Sequence, residues 1–331
     1  MIKKRIPFIL VIALLLVPLS AFIHLTTGEI YVSLNDFLSA IFEFKGNNST
    51  HVLIREFKIP RILIAIVAGG GLALSGMLMQ TLFNNPLAGP YVLGINSGAS
   101  LLVALSLMSG FSFFGSDIGI ISAALIGAFL AGILMMAVAQ RIRSQISLLL
   151  VGLMFGSFTS ALVSILESLS GEGALKAYTL WTMGSLQQVE FDQLPLILFI
   201  FICGIFLSFI LIKPLNMLVI GARSAGLLGL KISQVRFLIM GITALLAGLI
   251  TAFCGPIAFV GLAVPNLTRI LLRTQNHSYL ILGNLLFGSI FLLLCDSFIQ
   301  LLSKQIALPI NAFTSIIGAP FVVFILMRKL R

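Results

Sequence analysis

Between Arg236 and Arg269 the chain carries no ionisable Asp, Glu, Lys or Arg for 32 consecutive residues. No water-soluble fold hides so long a neutral apolar run easily. As one helix it would be about 48 Å long at 1.5 Å per residue, too long for a hydrocarbon core of about 30 Å. Gly255-Pro256 and then Pro265 interrupt it. Two membrane crossings therefore fit, the second short and irregular. The rest of the chain has the same character, with 9% charged residues and a mean hydropathy of +1.16. A soluble domain carries roughly 25% charge, so the expectation is an all-α polytopic membrane protein with little mass outside the bilayer.

At about 20 residues per crossing, the 331 residues hold roughly ten transmembrane helices in one membrane domain, 1–331. The hydropathy pattern places them near 6–25, 61–83, 91–108, 118–139, 146–168, 194–212, 236–254, 257–272, 280–302 and 308–327. Lys3-Lys4-Arg5 before the first apolar run mimics a secretion signal, but no small-residue cleavage site follows, so an uncleaved first span is expected. The piece SLNDFLSAIFEF spaces its apolar residues as a short surface helix would.

Charge orients the spans. With the N-terminus inside, segments 1–5, 84–90, 140–145, 213–236, 269–278 and 328–331 fall on the cytoplasmic side and hold 14 of the 20 cations and no acid. The other side holds nine of the ten acids, and Asp296 lies within span nine. Ten spans with both termini cytoplasmic satisfies the positive-inside rule. The same distribution explains the net charge of +10 without nucleic acid, because the cations flank span ends.

Catalytic chemistry finds no constellation. No G-x-x-x-x-G-K-[ST] string is present to cradle nucleotide phosphates, and H-E-x-x-H is absent. His24, His51 and His277 are far apart, and Cys203, Cys254 and Cys295 match no metal spacing. GINSG around Ser97 approaches a membrane serine-protease pattern but has no histidine in helical register. No metal, cofactor or enzymatic activity is expected.

Three features remain open on residue type alone. Lys58 and Arg61, at the outer end of span two, either snorkel as anchors or present a cationic patch to an acidic partner. Asp296 is either a structural partner or a coupling carboxylate, intramembrane acids being functional candidates by default. The stretch IGARSAGLLGLKIS, 220–233, is either an interfacial helix or one that docks in a cytoplasmic partner's groove. An echo between LALSG…NNPLAGPYVLG and LLAGLITAFCGPIAFVGLAVP suggests an inverted repeat.

An ordered set of motifs then resembles one family. K-I-P-R at 58–61, G-L-A-L-S-G-x-x-x-Q at 71–80, N-P-L-A-G-P at 85–90 and L-G-I-N-S-G-A at 93–99 come first. W-T-M-G-S at 181–185, L-L-G-L at 227–230, G-P-I-A-F-V-G-L-A-V-P at 255–265, and L-P-I-N at 308–311 leading to I-G-A-P-F at 317–321 follow. Together they resemble the FecCD/BtuC permeases of ABC importers for ferric siderophores, haem and cobalamin.

The resemblance implies a cytoplasmic (inner) membrane permease in a homodimer, or paired with a sister permease. Its partners would be two cytoplasmic ATP-binding cassette subunits and an extracytoplasmic substrate-binding protein. Docking of the binding protein would fall on Lys58 and Arg61, with Lys304 replacing a third family cation where Gln300 stands. ATPase coupling would fall on Arg223, Ser224, Leu227, Leu228 and Gly229. The inner gate would comprise Asn85, Leu87, Ser144 and Gln145. A wide, weakly binding pathway would be lined by Asn96, Ser97, Ser157, Thr159 and Ser160. Family D-x-x-x-R becomes Asp296 with Gln300, so an ion pair there is expected to be lost, and Asn266 replaces the usual His after V-P. The expected cargo is an iron chelate, with a ferric siderophore preferred and haem and cobalamin as the alternatives. An ion-coupled secondary carrier working through Asp296 is the competing expectation.

Overall fold

The computed structural model describes residues 2–28, 32–44, 46–109, 117–142, 144–303 and 308–329. Within them the chain is helical, with no strand. A first span, α1 (Ile2–Thr26), leads to α2 (Leu34–Phe42), α3 (Ser49–Leu53) and a π turn over Ile54–Lys58. That turn runs straight into α4 (Ile59–Phe83), so Ser49–Phe83 forms one helical run of 35 residues. Then come α5 (Ile95–Met108), α6 (Asp117–Arg141), α7 (Gln145–Leu169), α8 (Glu172–Met183) and α9 (Leu194–Ile210). Short α10 (Ile212–Leu218) and α11 (Ala222–Leu227) precede α12 (Ile232–Cys254), α13 (Val260–Leu272), α14 (His277–Leu302) and α15 (Ile310–Lys329).

Seven of the helical runs are long and apolar enough to cross a membrane. Three shorter apolar helices, α5, α13 and Ile310–Ile325 of α15, complete a set of about ten. The surface helix read from SLNDFLSAIFEF is α2, started by a capping box in which Ser33 and Asp36 satisfy each other's backbone N–H groups. The short, irregular span after Gly255 is α13. It begins only at Val260 because Gly255, at φ 70°, and Phe259, at φ 63°, hold the approach in left-handed backbone.

The core is organised on α4, buried from Pro60 to Phe83 with few interruptions. It packs on α14, α12 and α13, while α5 lies between α6 and α7 and α1 covers α14. Lipid supplies no hydrophobic drive between helices, so close approach of backbones has to supply dispersion instead. At Gly69 against Gly288, and at Gly76 against Gly261, the helices touch backbone to backbone, and a Cβ on either Gly69 or Gly76 would overlap the facing main chain. The glycine string of α4 is thus the seam of the bundle. Large apolar side chains point the other way, Phe8, Phe129, Phe158 and Phe206 among them, where acyl chains would meet them.

Candidate functional site at the two ends of the central helix

Both ends of α4 carry polar clusters. At its N-terminal end the π turn and the first helical turn aim Lys58 and Arg61 inward, toward α14. Arg61 grips Asp296 with two parallel hydrogen bonds, Nε to Oδ2 at 2.7 Å and Nη2 to Oδ1 at 2.8 Å. His24 of α1 donates from Nε2 to Oδ2 at 2.6 Å, and the Gln300 amide donates to the same oxygen at 3.2 Å. Lys58 donates to the Thr27 carbonyl and, at 3.2 Å, to Gln300 Oε1. Bidentate guanidinium–carboxylate pairs are the strong class of ionic hydrogen bond, and this one ties α1, α4 and α14 together.

The Asp296 to Gln300 step is a hydrogen bond rather than an ion pair, and Asp296 takes its cation from another helix, through Arg61. Lys58 is 8% exposed and the Arg61 side chain 14%. In a low-dielectric surrounding each charge must find acceptors, and these lie on α14 and at the end of α1. What both cations do face is a cavity of about 710 Å³, whose wall also includes Asp296, Gln187, Gln300 and Ser303. The cluster sets two basic side chains against one carboxylate. Lys304 lies outside the described residues.

The C-terminal end of α4 builds a second cluster. The helix stops at Asn84, which adopts left-handed φ 46°, and Asn85 Oδ1 accepts from Leu87 N at 2.9 Å to form the turn. Asn266 of α13 donates from Nδ2 to the Pro86 carbonyl at 2.9 Å and to Leu262 O at 2.8 Å. The residue that departs from the family pattern therefore clamps the N-P-L turn. Gln80 donates to Leu262 O at 3.2 Å and accepts from the Arg269 guanidinium. His277 Nε2 lies 2.9 Å from Thr81 Oγ1, and its ring and backbone N–H both reach Asn216 Oδ1 at 2.9 Å. Gln80, Asn85, Leu218, Asn266, Arg269 and His277 are among the residues enclosing a cavity of about 300 Å³.

The remaining sequence candidates fall on separate elements. Leu87, 42% exposed, tips the N-P-L turn. Ser144 caps α7 by accepting from Ser147 N at 3.2 Å, and Gln145 opens that helix, its side chain outside the described residues. Asn96 and Ser97 occupy the first turn of α5, Ser97 beside Gly156 of α7. Ser157 and Ser160 are exposed on α7. Thr159 is not on that surface: it is buried and spends its hydroxyl on Phe155 O and Gly156 O of its own helix.

The segment 222–229 comprises α11 and its C-terminal cap, with Arg223 and Ser224 exposed, Leu227 86% and Leu228 65% exposed, and only Ala225 buried beneath them. Gly229, at φ 88°, ends it, and Leu230 N bonds back to Ala225 O at 3.0 Å. This closure fixes the short helix with its leucines outward.

Sequence reading missed His24, Gln80, Asn216, Arg269 and His277 as site residues. Gln80 alone was visible, as the end of the G-x-x-x-Q string. The two histidines meet partners 272 and 196 positions away, a distance that no local spacing encodes.

Comparison with known proteins gives a consistent picture. The model of the FecCD transport family matches residues 13–328. The hemin transport system permease HmuU of Yersinia pestis is 31% identical over 302 residues, covering 88% of this chain and 89% of that protein. The vitamin B12 import system permease BtuC of Salmonella typhi is 33% identical over 323 residues, covering 96% and 94%. A solved metal-chelate type ABC transporter in an inward-facing conformation superposes with a TM-score of 0.84 at 30% identity, covering 97% of this chain and 99% of that one.

Proposed function

We propose that this chain, which belongs to the FecCD transport family, is the non-catalytic permease subunit of an ATP-driven importer for an iron chelate, a ferric siderophore, in the cytoplasmic membrane. Two copies, or one copy with a sister permease, enclose the pathway. Cytoplasmic ATPase subunits seat on α11, and an extracytoplasmic binding protein delivers cargo at the cavity beside Lys58.

The observation that carries this reading is α11 itself. A multi-pass membrane chain with no phosphate-binding loop exposes Leu227 and Leu228 on its basic face, rigidly backed by Ala225 and the Gly229 closure. Exposed leucines there suit a groove on a partner that supplies the work. Closing the ATPases on nucleotide would push α11, and through α10 the end of α4, so that access alternates along α7, α15 and α5.

Beside Arg61, whose charge Asp296 takes up, Lys58 is the surplus cation that a binding protein's carboxylate would meet. The carrier alternative has no support in the geometry, since Asp296 is held by Arg61, His24 and Gln300 together. Uptake into proteoliposomes tests the assignment. ATP-dependent accumulation of a ferric siderophore that requires both partner proteins is expected. Accumulation by the permease alone, driven by an ion gradient, would refute it.

A further inference from the structure

The cavity at the C-terminal end of α4 contains an unbalanced charge. Among the described residues there are three ion pairs, His24–Asp296, Arg55–Glu56 and Arg61–Asp296, and Arg269 belongs to none of them. Its side chain is half-buried and donates to a neutral amide, Gln80 Oε1. A guanidinium has five N–H donors and cannot shed its charge, so one partly withdrawn from water calls for a carboxylate or phosphate.

The chain's own basic face has none to give. Segments 84–90, 140–145, 213–236 and 269–278, which share that face, contain eight cations and no acid. The cavity's about 300 Å³ is roughly ten times the 30 Å³ share of a liquid water molecule, which is room for a side-chain carboxylate. Its wall offers amides from Asn85 and Gln275 besides Arg269.

Position selects the donor. Leu218 and Val219 form part of the wall, and α11 starts at Ala222, three residues on. A protein seated on Leu227 and Leu228 therefore lies beside the cavity mouth. We propose that this cavity receives an acidic side chain of the cytoplasmic ATPase partner, with Arg269 as its counter-ion. This rests on the reading of α11 as the ATPase contact. It adds a second, ionic contact next to the apolar one. Because Asn85 lines the same cavity and Asn266 ties the adjoining Pro86 carbonyl to α13, entry or withdrawal of the carboxylate bears directly on the N-P-L turn.

The test uses the full transporter, permease with its ATPase, in proteoliposomes. Arg269→Gln should lower ATP-driven uptake at least tenfold. Each Asp and Glu of the ATPase is then neutralised, alone and together with Arg269→Gln. One of them should be no worse combined than alone, within twofold, and its change to Lys should restore at least a third of uptake to Arg269→Glu. If every ATPase acid multiplies independently with Arg269→Gln, the proposal fails. It fails equally if the Arg269→Gln defect appears in phosphatidylglycerol vesicles and vanishes in phosphatidylcholine, which would assign the cavity to a lipid phosphate. Should Arg269→Gln not assemble, Gln275→Cys on the exposed rim, with Arg269 intact, should form a disulfide with a cysteine placed at one acidic position of the ATPase, and none at any position refutes the idea. Leu228→Glu separates the two readings. If it leaves uptake intact, the α11 assignment itself falls; if it abolishes uptake while no acid pairs with Arg269, only the ionic contact falls.

Discussion

Replacing Asp296 with asparagine isolates the contribution of the cluster that joins α1, α4 and α14. The substitution keeps the shape but removes the charge and turns one accepting oxygen into a donor. Arg61 then loses one of its two bonds and its counter-ion, while Oδ2, which also served His24 and Gln300, becomes an NH₂ facing three donors. Breaking a buried pair by removing one partner costs about 3–5 kcal/mol, because the remaining charge is left unpaired. Arg61 keeps a 14% exposed side chain at the cavity wall and can recover some hydration. The expected loss is therefore at the low end, about 3 kcal/mol, which is roughly a hundredfold in the folding equilibrium at 1.36 kcal/mol per tenfold. Reversible denaturation in mixed micelles, titrated with SDS, reads this directly. Adding Arg61→Gln to Asp296→Asn should return at least about 1 kcal/mol, since the stranded charge goes too. A single variant within about 0.5 kcal/mol of the parent, or strict additivity in the double variant, would refute the reasoning that this pair is a structural clasp.

Three further outcomes follow from the same geometry. Gly76→Ala places a methyl on the Gly261 main chain and should cost about 1–3 kcal/mol by overpacking, whereas Gly173→Ala, with nothing within 4 Å of the new Cβ, should be neutral; the melting profile of the detergent-solubilised protein compares them. Leu228→Glu should leave ATP hydrolysis by the assembled transporter measurable but drop uptake at least tenfold, and normal uptake in a flux assay would remove the coupling role. Lys58→Glu should weaken association of the binding protein at least tenfold at low salt and flatten its salt dependence, while Lys58→Met should do so less; surface plasmon resonance on reconstituted permease shows both.

Much of the architecture was legible because the bilayer imposes its rules residue by residue. Apolar length alone marks where helices run, as where the expected 146–168 lies along α7 at Gln145–Leu169. The helix ends were legible wherever backbone chemistry is local: Pro60 in the first turn of α4, Asn84 at its close, and the Ser33–Asp36 box at α2. The candidate site was legible as motifs, but its inner workings were not. Lys58 and Arg61 stand out in the sequence as a pair, open between anchors and a docking patch; their acceptors, on α14 and after α1, lie on segments that no local spacing links to them.

By itself the amino-acid sequence set the expectation of an all-α membrane chain of about ten spans, with its cations gathered on one side, a glycine-rich helix and a leucine-bearing segment between two spans. Hydropathy, charge asymmetry and turn chemistry are properties of neighbouring residues, and they survive translation into structure almost unchanged. Only the tertiary structure decided that Asp296 belongs to Arg61, that His24 completes their clasp, that Asn266 holds the N-P-L turn, and that Arg269 pairs with no acid among the described residues. A helix's periodicity says which side chains share a face. What stands across from that face depends on which helices the glycine contacts allow to meet, and that is settled by packing between segments more than two hundred residues apart.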